Sequence, residues 1–115
     1  MVNNVLALTA SGVRDWLVQR VTALMIFFYV LGTTAYVGMH SPLTYEAWHA
    51  LFACQKMKVV TTLVLLSVLW HAWIGLWTVF TDYVSHKGLR LLLTTCVIIF
   101  LIYNLVWGLA LVWSV

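Results

Sequence analysis

The sequence predicts an all-α integral membrane protein with three transmembrane helices, and three observations support this prediction. Hydrophobic residues make up 64% of the 115 residues and charged residues only 8%, against roughly 25% charged residues in ordinary soluble domains. A chain this short cannot enclose so much apolar surface in one globule. Three apolar runs divide the sequence, each long enough to cross the roughly 30 Å hydrocarbon layer. We therefore expect one domain over residues 1–115, facing lipid or partner proteins.

The three spans are expected over residues of about 16–37, 59–80 and 91–113. The apolar run after Arg20 is long enough to be a retained helix and does not resemble a cleaved signal peptide. The second span contains no formal charge, but it does contain His71.

Two connections join the spans. Residues 44–52 are amphipathic and aromatic, which predicts a short helix at the membrane interface. Residues 81–90 are expected to form a short polar loop, which places Asp82 and Tyr83 just past the end of the second helix.

The positive charges predict the orientation, because Lys and Arg are enriched in cytoplasmic loops. With three spans, the N-terminus and the second connection lie on the same side. That side holds four of the six cations, and the opposite side holds two. We therefore expect the N-terminus in the cytoplasm and the C-terminus outside. The four cations are Arg14, Arg20, Lys87 and Arg90, and the two are Lys56 and Lys58.

Charge and cysteine content exclude several classes of function. Six cations spread along the chain form no basic patch for nucleic acid. Cys54 and Cys96 belong to no Cys-x-x-Cys motif, so covalent haem attachment and zinc ribbons have no support. The two cysteines lie in different regions of the expected topology, so no disulfide is expected between them.

His71 is the residue that most directly indicates chemistry, because a histidine inside the bilayer is costly unless it is paired or ligated. A hydrogen bond between helices would satisfy it, and so would a functional role. Ser67 and Gly75 share its helix face, which suits either a planar macrocycle or tight helix packing. Neutral imidazole ligates haem iron well. No second histidine lies within a span, so a six-coordinate haem would need another polypeptide for its other axial ligand.

Other charged and aromatic residues near the expected cytoplasmic side have two interpretations each. Tyr83 and Asp82, about 11 residues and roughly 16 Å from His71, are either interfacial residues or a quinone site. In that site the phenol would donate a hydrogen bond to a quinone carbonyl. The carboxylate would orient this donor or help to deliver protons. Arg14 and Arg20 either set the topology or pair with haem propionates.

Residues 71–84, with the sequence HAWIGLWTVFTDYV, resemble the hydrophobic membrane anchor D subunit of bacterial succinate dehydrogenase. The resemblance extends to residues 43–48 and covers essentially the whole chain. Further matching positions are Gly12, Val13, Asp15, Arg20, Val112 and Trp113.

This resemblance implies an anchor subunit of succinate:ubiquinone oxidoreductase, the respiratory complex II of the tricarboxylic acid cycle, in the bacterial inner membrane. It implies packing with a second three-helix anchor, the C subunit, around one haem b with one axial histidine from each chain. His71 matches the axial ligand of the haem iron in this family, and Arg20 matches an arginine on the propionate side of the haem. Tyr83 matches the tyrosine that binds ubiquinone, and Asp82 matches the carboxylate that supports this tyrosine. FAD and iron–sulfur clusters would belong to flavoprotein and iron–sulfur subunits, so no catalytic residue for succinate is expected here.

One position departs from the pattern of the family, since Arg14 stands where a histidine is expected. Arginine keeps a cation but loses a group that titrates near neutrality. Three other functions stay open: the anchor of a quinol:fumarate reductase, a small transporter subunit with His71 as proton relay, and a structural anchor without cofactor. The transporter is disfavoured because no span carries an acidic residue.

Overall fold

The computed structural model describes the backbone of residues 2–115 and the side chains of residues 12–115. All regular structure in this part of the chain is helical. The helices are α1 (Val2–Met39), α2 (Tyr45–Ala53), α3 (Gln55–Tyr83) and α4 (Lys87–Ser114). Three of them, α1, α3 and α4, are long and apolar enough to cross a membrane. The predicted all-α fold with three transmembrane helices is therefore confirmed.

The membrane-spanning helices are longer than the predicted spans. The candidate spans run over Gly12–Met39, Gln55–Tyr83 and Lys87–Ser114. At about 1.5 Å per residue, helices of this length exceed 40 Å, whereas the hydrocarbon layer is roughly 30 Å thick. The helical hydrogen bonds therefore continue through polar residues into the headgroup region. The sequence pattern shows where the apolar residues end, but each helix continues beyond that point.

The connection between α3 and α4 is shorter than the predicted loop and comprises only residues 84–86. Asp82 and Tyr83 lie in the last turn of α3 rather than beyond it. The helix continues through them because the N–H of Val84 still donates to the carbonyl of Phe80 at 3.1 Å. The backbone of Val84 then becomes extended. The predicted position past the helix end was therefore wrong by one turn.

The short helix predicted over residues 44–52 is present as α2. Thr44 begins it as N-cap, and its Oγ1 accepts a hydrogen bond from the N–H of Ala47 at 3.2 Å. The rings of Trp48 and Phe52 contact each other edge to face at 4.7 Å. α2 packs against α3, so its aromatic side chains lie at one end of the helical bundle.

The three long helices pack with α3 in the centre, between α1 and α4. Among residues 12–115 only Val64, Thr22 and Ser67 are buried, and two of these three are polar. Large apolar side chains instead cover the outer surface. This burial pattern is the reverse of that in a soluble protein, and it is expected where lipid is the solvent.

Polar contacts between helices fix the register of the bundle. Lipid tails are as apolar as leucine, so helices in a membrane associate through close packing and hydrogen bonds. Tyr29 of α1 and Thr61 of α3 form such a bond, with 2.9 Å between their oxygens. The indole N–H of Trp113 in α4 donates to Oγ1 of Thr62 at 3.0 Å. Both outer helices are thus tied to the same end of α3.

Candidate functional site

An open groove of about 340 Å³ runs along the boundary between α1 and α3. It brings together two of the residues that the sequence singled out, His71 and Arg20. Its lining residues are Asp15, Trp16, Gln19, Arg20, Ala23, His71, Ile74 and Thr78. The groove therefore combines an imidazole, a guanidinium and a carboxylate with two uncharged polar side chains, Gln19 and Thr78, and three apolar ones.

His71 is half-buried and makes a hydrogen bond to α1. Its Nδ1 lies 3.1 Å from Oγ1 of Thr22. Within residues 12–115 the other ring nitrogen, Nε2, has no hydrogen-bond partner, and it is not among the buried unpaired atoms. One nitrogen therefore forms the expected bond between helices, while the second remains accessible for a ligand.

Ser67 and Gly75, the small residues on the face of His71, lie against α1. The hydroxyl of Ser67 donates to the carbonyl of Leu63 at 2.9 Å and lies 3.4 Å from the sulfur of Met25. A Cβ on Gly75 would lie 3.9 Å from Nε2 of Gln19. These small residues therefore serve tight packing between two helices of this chain. A planar group would have to approach His71 from the groove beside them.

Arg20 lies on the α1 side of the groove. Its guanidinium carbon is 5.3 Å from the centroid of the Trp16 ring, which places the cation over the aromatic face. The side chain is exposed, so it retains hydrogen-bond donors for an anionic group. Asp15 lines the same groove and adds a carboxylate to it. Arg14, the departure from the family pattern, is exposed and lies outside the groove lining.

Asp82 and Tyr83 are not part of this groove. Eleven positions separate Asp82 from His71, which places both on nearly the same helix face at a distance of roughly 16 Å. Tyr83 is 82% exposed, and its phenol makes no hydrogen bond within residues 12–115. The structure therefore places His71 in the middle of α3, and Asp82 and Tyr83 in the last turn of the same helix, outside the groove.

Two of the other three histidines, His40 and His86, make local hydrogen bonds. Nδ1 of His40 lies 3.0 Å from the carbonyl of Tyr36. His86 caps α4, because its Nδ1 accepts a hydrogen bond from the N–H of Leu89 at 3.0 Å. No group of three or more His, Cys, Asp or Glu side chains is placed to hold a metal ion in the described residues.

Sequence reasoning missed Thr22 and Gln19, which complete the surroundings of His71. A signal for them was present, because Asp15, Gln19 and Thr22 are spaced by four and three residues and so share one face of α1. Polar side chains on a transmembrane helix face the bundle interior. These three polar residues predict which face of α1 packs against a neighbouring helix, but not which residue of that helix each of them contacts.

The fold and the groove define a class of protein: a multi-pass helical membrane protein with a polar groove between two of its spans. Residues 5–106 match the profile of the family described as succinate dehydrogenase/fumarate reductase transmembrane subunit, and the chain belongs to this family. It is also 47% identical over 102 residues to a relative from Coxiella burnetii, described as succinate dehydrogenase hydrophobic membrane anchor subunit. The match covers 89% of each chain. The resemblance found in residues 71–84 is thus confirmed at the level of the family, and membership implies partner subunits.

Proposed function

We propose that this chain is the membrane anchor of a succinate:ubiquinone oxidoreductase, in which it supplies one axial ligand to a shared haem b and part of the ubiquinone site. The observation that carries the proposal is His71, with its Nδ1 bonded to Thr22 and its Nε2 accessible at a groove that also contains Arg20. A neutral imidazole with one anchored and one available nitrogen is the usual form of a histidine metal ligand.

The groove residues fit a haem by the chemistry of their donors. Nε2 of His71 would ligate the iron, and Arg20 would pair with a propionate, because guanidinium binds carboxylate bidentately. A bound haem b supplies a one-electron redox centre inside the membrane. Because this chain offers one embedded histidine, the open side of the groove is proposed to receive a second three-helix anchor with its own axial histidine.

The quinone part of the site is proposed at the end of α3. The exposed phenol of Tyr83 would donate a hydrogen bond to a quinone carbonyl, and the adjacent Asp82 carboxylate would orient the donor or deliver protons. A headgroup in this position lies at the interface, while its isoprenoid tail remains in lipid. FAD and the iron–sulfur clusters are assigned to a flavoprotein and an iron–sulfur subunit, which would dock on the same cytoplasmic side and oxidise succinate.

The direction of the reaction tests this proposal against a fumarate reductase. In membranes that contain the complete complex, succinate-driven reduction of ubiquinone is expected to exceed menaquinol-driven reduction of fumarate. Deletion of this chain should abolish quinone reduction and release dye-coupled succinate oxidation into the soluble fraction. Faster fumarate reduction would favour the reductase. Retention of the succinate-oxidising subunits on membranes without the chain would contradict the anchor function.

The N-terminus is proposed to lie in the cytoplasm and the C-terminus in the periplasm, which places Cys54 outside the inner membrane. A membrane-impermeant maleimide should therefore label Cys54 in spheroplasts. Cys96 lies in the middle of α4 and is a matched control, because lipid should protect it. The variant Cys54→Ser should lose the label. Labelling of Cys54 only in inverted vesicles would indicate the opposite orientation, with Cys54 on the cytoplasmic side.

The pH dependence of this labelling has a structural cause. Cys54 is the N-cap of α3, and the backbone N–H groups of Met57 and Lys56 lower the pKa of its thiol below the ordinary value, with the charge of Lys56 as a smaller contribution. The thiolate is the species that reacts with maleimide. As pH rises, the labelling rate of Cys54 should therefore reach its plateau at a lower pH than that of a cysteine in an unstructured peptide.

A further inference from the structure

We propose that Thr22 is a positioning residue for His71: its side-chain oxygen accepts the proton of Nδ1 and so leaves the lone pair of Nε2 for a metal. This inference rests on the proposed role of His71 as haem ligand and adds the residue that sets its tautomer and ring orientation.

Three distances around the Thr22 hydroxyl carry the inference. The oxygen lies 2.7 Å from the carbonyl of Val18, 3.2 Å from the carbonyl of Gln19 and 3.1 Å from Nδ1 of His71. A hydroxyl has one proton, and carbonyls only accept. The shortest contact has the usual length of an O–H···O bond, and the contact to Nδ1 is in the range of an N–H···O bond. The hydroxyl of Thr22 therefore donates its proton to the carbonyl of Val18. In the third contact, Nδ1 of His71 carries the proton and the oxygen of Thr22 accepts it.

The surroundings of Thr22 hold this arrangement in place. Thr22 is only 8% exposed, so water does not compete well for its oxygen. Its β-branched side chain has few rotamers in a helix, and its bond to the carbonyl four residues earlier fixes the one in use. The opposite tautomer of His71 would need the hydroxyl proton for itself, and the 2.7 Å contact to Val18 would then lose its donor.

The hydrogen bond should also change the properties of His71 as a ligand. A partner that accepts from the remote imidazole nitrogen fixes the ring and raises its basicity, and loss of such a partner typically weakens metal binding about 10–100-fold. A more basic imidazole stabilises ferric over ferrous iron. Removal of the Thr22 hydroxyl should therefore raise the midpoint potential of the haem and speed up its dissociation.

Thr22→Val tests the proposal, because valine keeps the branched shape and removes the hydroxyl. Thr33→Val is the matched control: Thr33 donates to the carbonyls of Tyr29 and Val30 in the same pattern, at 2.8 and 3.1 Å, but has no histidine partner. Thr22→Ser should restore wild-type behaviour. The measurements are the midpoint potential of haem b in the purified complex and the rate of haem transfer to apomyoglobin.

In Thr22→Val we expect haem transfer about tenfold faster than in the wild type and a higher midpoint potential, whereas Thr33→Val and Thr22→Ser should match the wild type. A purely structural role would leave the potential unchanged. Thr22→Ala replaces the valine variant if the latter does not assemble. An unchanged potential and transfer rate in hydroxyl-free variants would overturn the proposal. Retention of the haem by a His71→Ala variant would overturn the proposed ligand itself, so the two failures are distinguishable.

Discussion

Replacement of His71 by alanine is expected to remove the haem b signal from the reduced-minus-oxidised spectrum of the assembled complex, with haem content reduced about tenfold or more. The reason is that the described residues offer no other histidine in the groove, and the loss of a ligand exceeds the 10–100-fold effect of losing an outer hydrogen bond. His40→Ala is the matched control, since His40 is exposed and follows α1, where its ring nitrogen contacts only the carbonyl of Tyr36 in the last turn of that helix. A haem spectrum unchanged by the substitution at position 71 would rule out the ligand role.

A second variant separates ligation from packing. Alanine leaves a cavity and removes the partner of Thr22, so it also tests the structural role of the hydrogen bond. Glutamine at position 71 keeps a polar side chain that can bond to Thr22 and is a poor ligand for haem iron. His71→Gln should therefore assemble, as measured by dye-coupled succinate oxidation on the membrane, and still lack the haem signal. A glutamine variant with full haem content would leave His71 with a packing role alone.

Replacement of Tyr83 by phenylalanine is expected to slow succinate-driven ubiquinone reduction by about tenfold, which corresponds to about 1.4 kcal/mol, or one hydrogen bond to the quinone carbonyl. Dye-coupled succinate oxidation should remain within the wild-type range. Folding should not change, because the side chain is 82% exposed and its phenol bonds to nothing within residues 12–115.

Tyr103→Phe provides the control for this prediction. Tyr103 is also an exposed tyrosine, but it lies in the middle of α4, where it stacks on Trp107 at 6.3 Å. Both activities should be unchanged in this variant. If Tyr83→Phe reduced both activities equally, the phenol would be needed for docking of the other subunits and not for the quinone.

The sequence was sufficient to predict the number of spans and to single out His71 as the residue within a span that needs a partner. Both are visible in a short stretch of sequence. A long apolar run has few alternatives to a transmembrane helix, and a lone imidazole within it stands out. Helix ends were harder to predict, as Asp82 shows: a polar residue ends an apolar run but does not break helical hydrogen bonds. The sequence also could not pair Thr22 with His71, since that pairing depends on how α1 and α3 rotate and shift against each other.

The proposed quinone site shows a second limit of sequence reasoning. Asp82 and Tyr83 are adjacent in sequence and match the family pattern, yet the quinone proposed to bind them and the subunits proposed to dock beside them lie outside this chain. For Arg20 the position is known and the partner is not: the structure places it in the groove of His71, whereas the propionate that we propose it binds would belong to a cofactor. One sequence cannot specify the groups that a partner chain or a cofactor would contribute to such a proposed site.

The small number of buried side chains has a consequence for how a cell handles this subunit. Only Val64, Thr22 and Ser67 are buried among residues 12–115, so most of the apolar side chains in this part of the chain are available to lipid and to partner subunits. By mass action, its stability then depends on how much of each binding partner is present. We expect a copy made in excess of its partners to stay incompletely packed and to be degraded more readily by membrane proteases. The subunit is therefore suited to synthesis in step with its partners, with degradation removing any surplus.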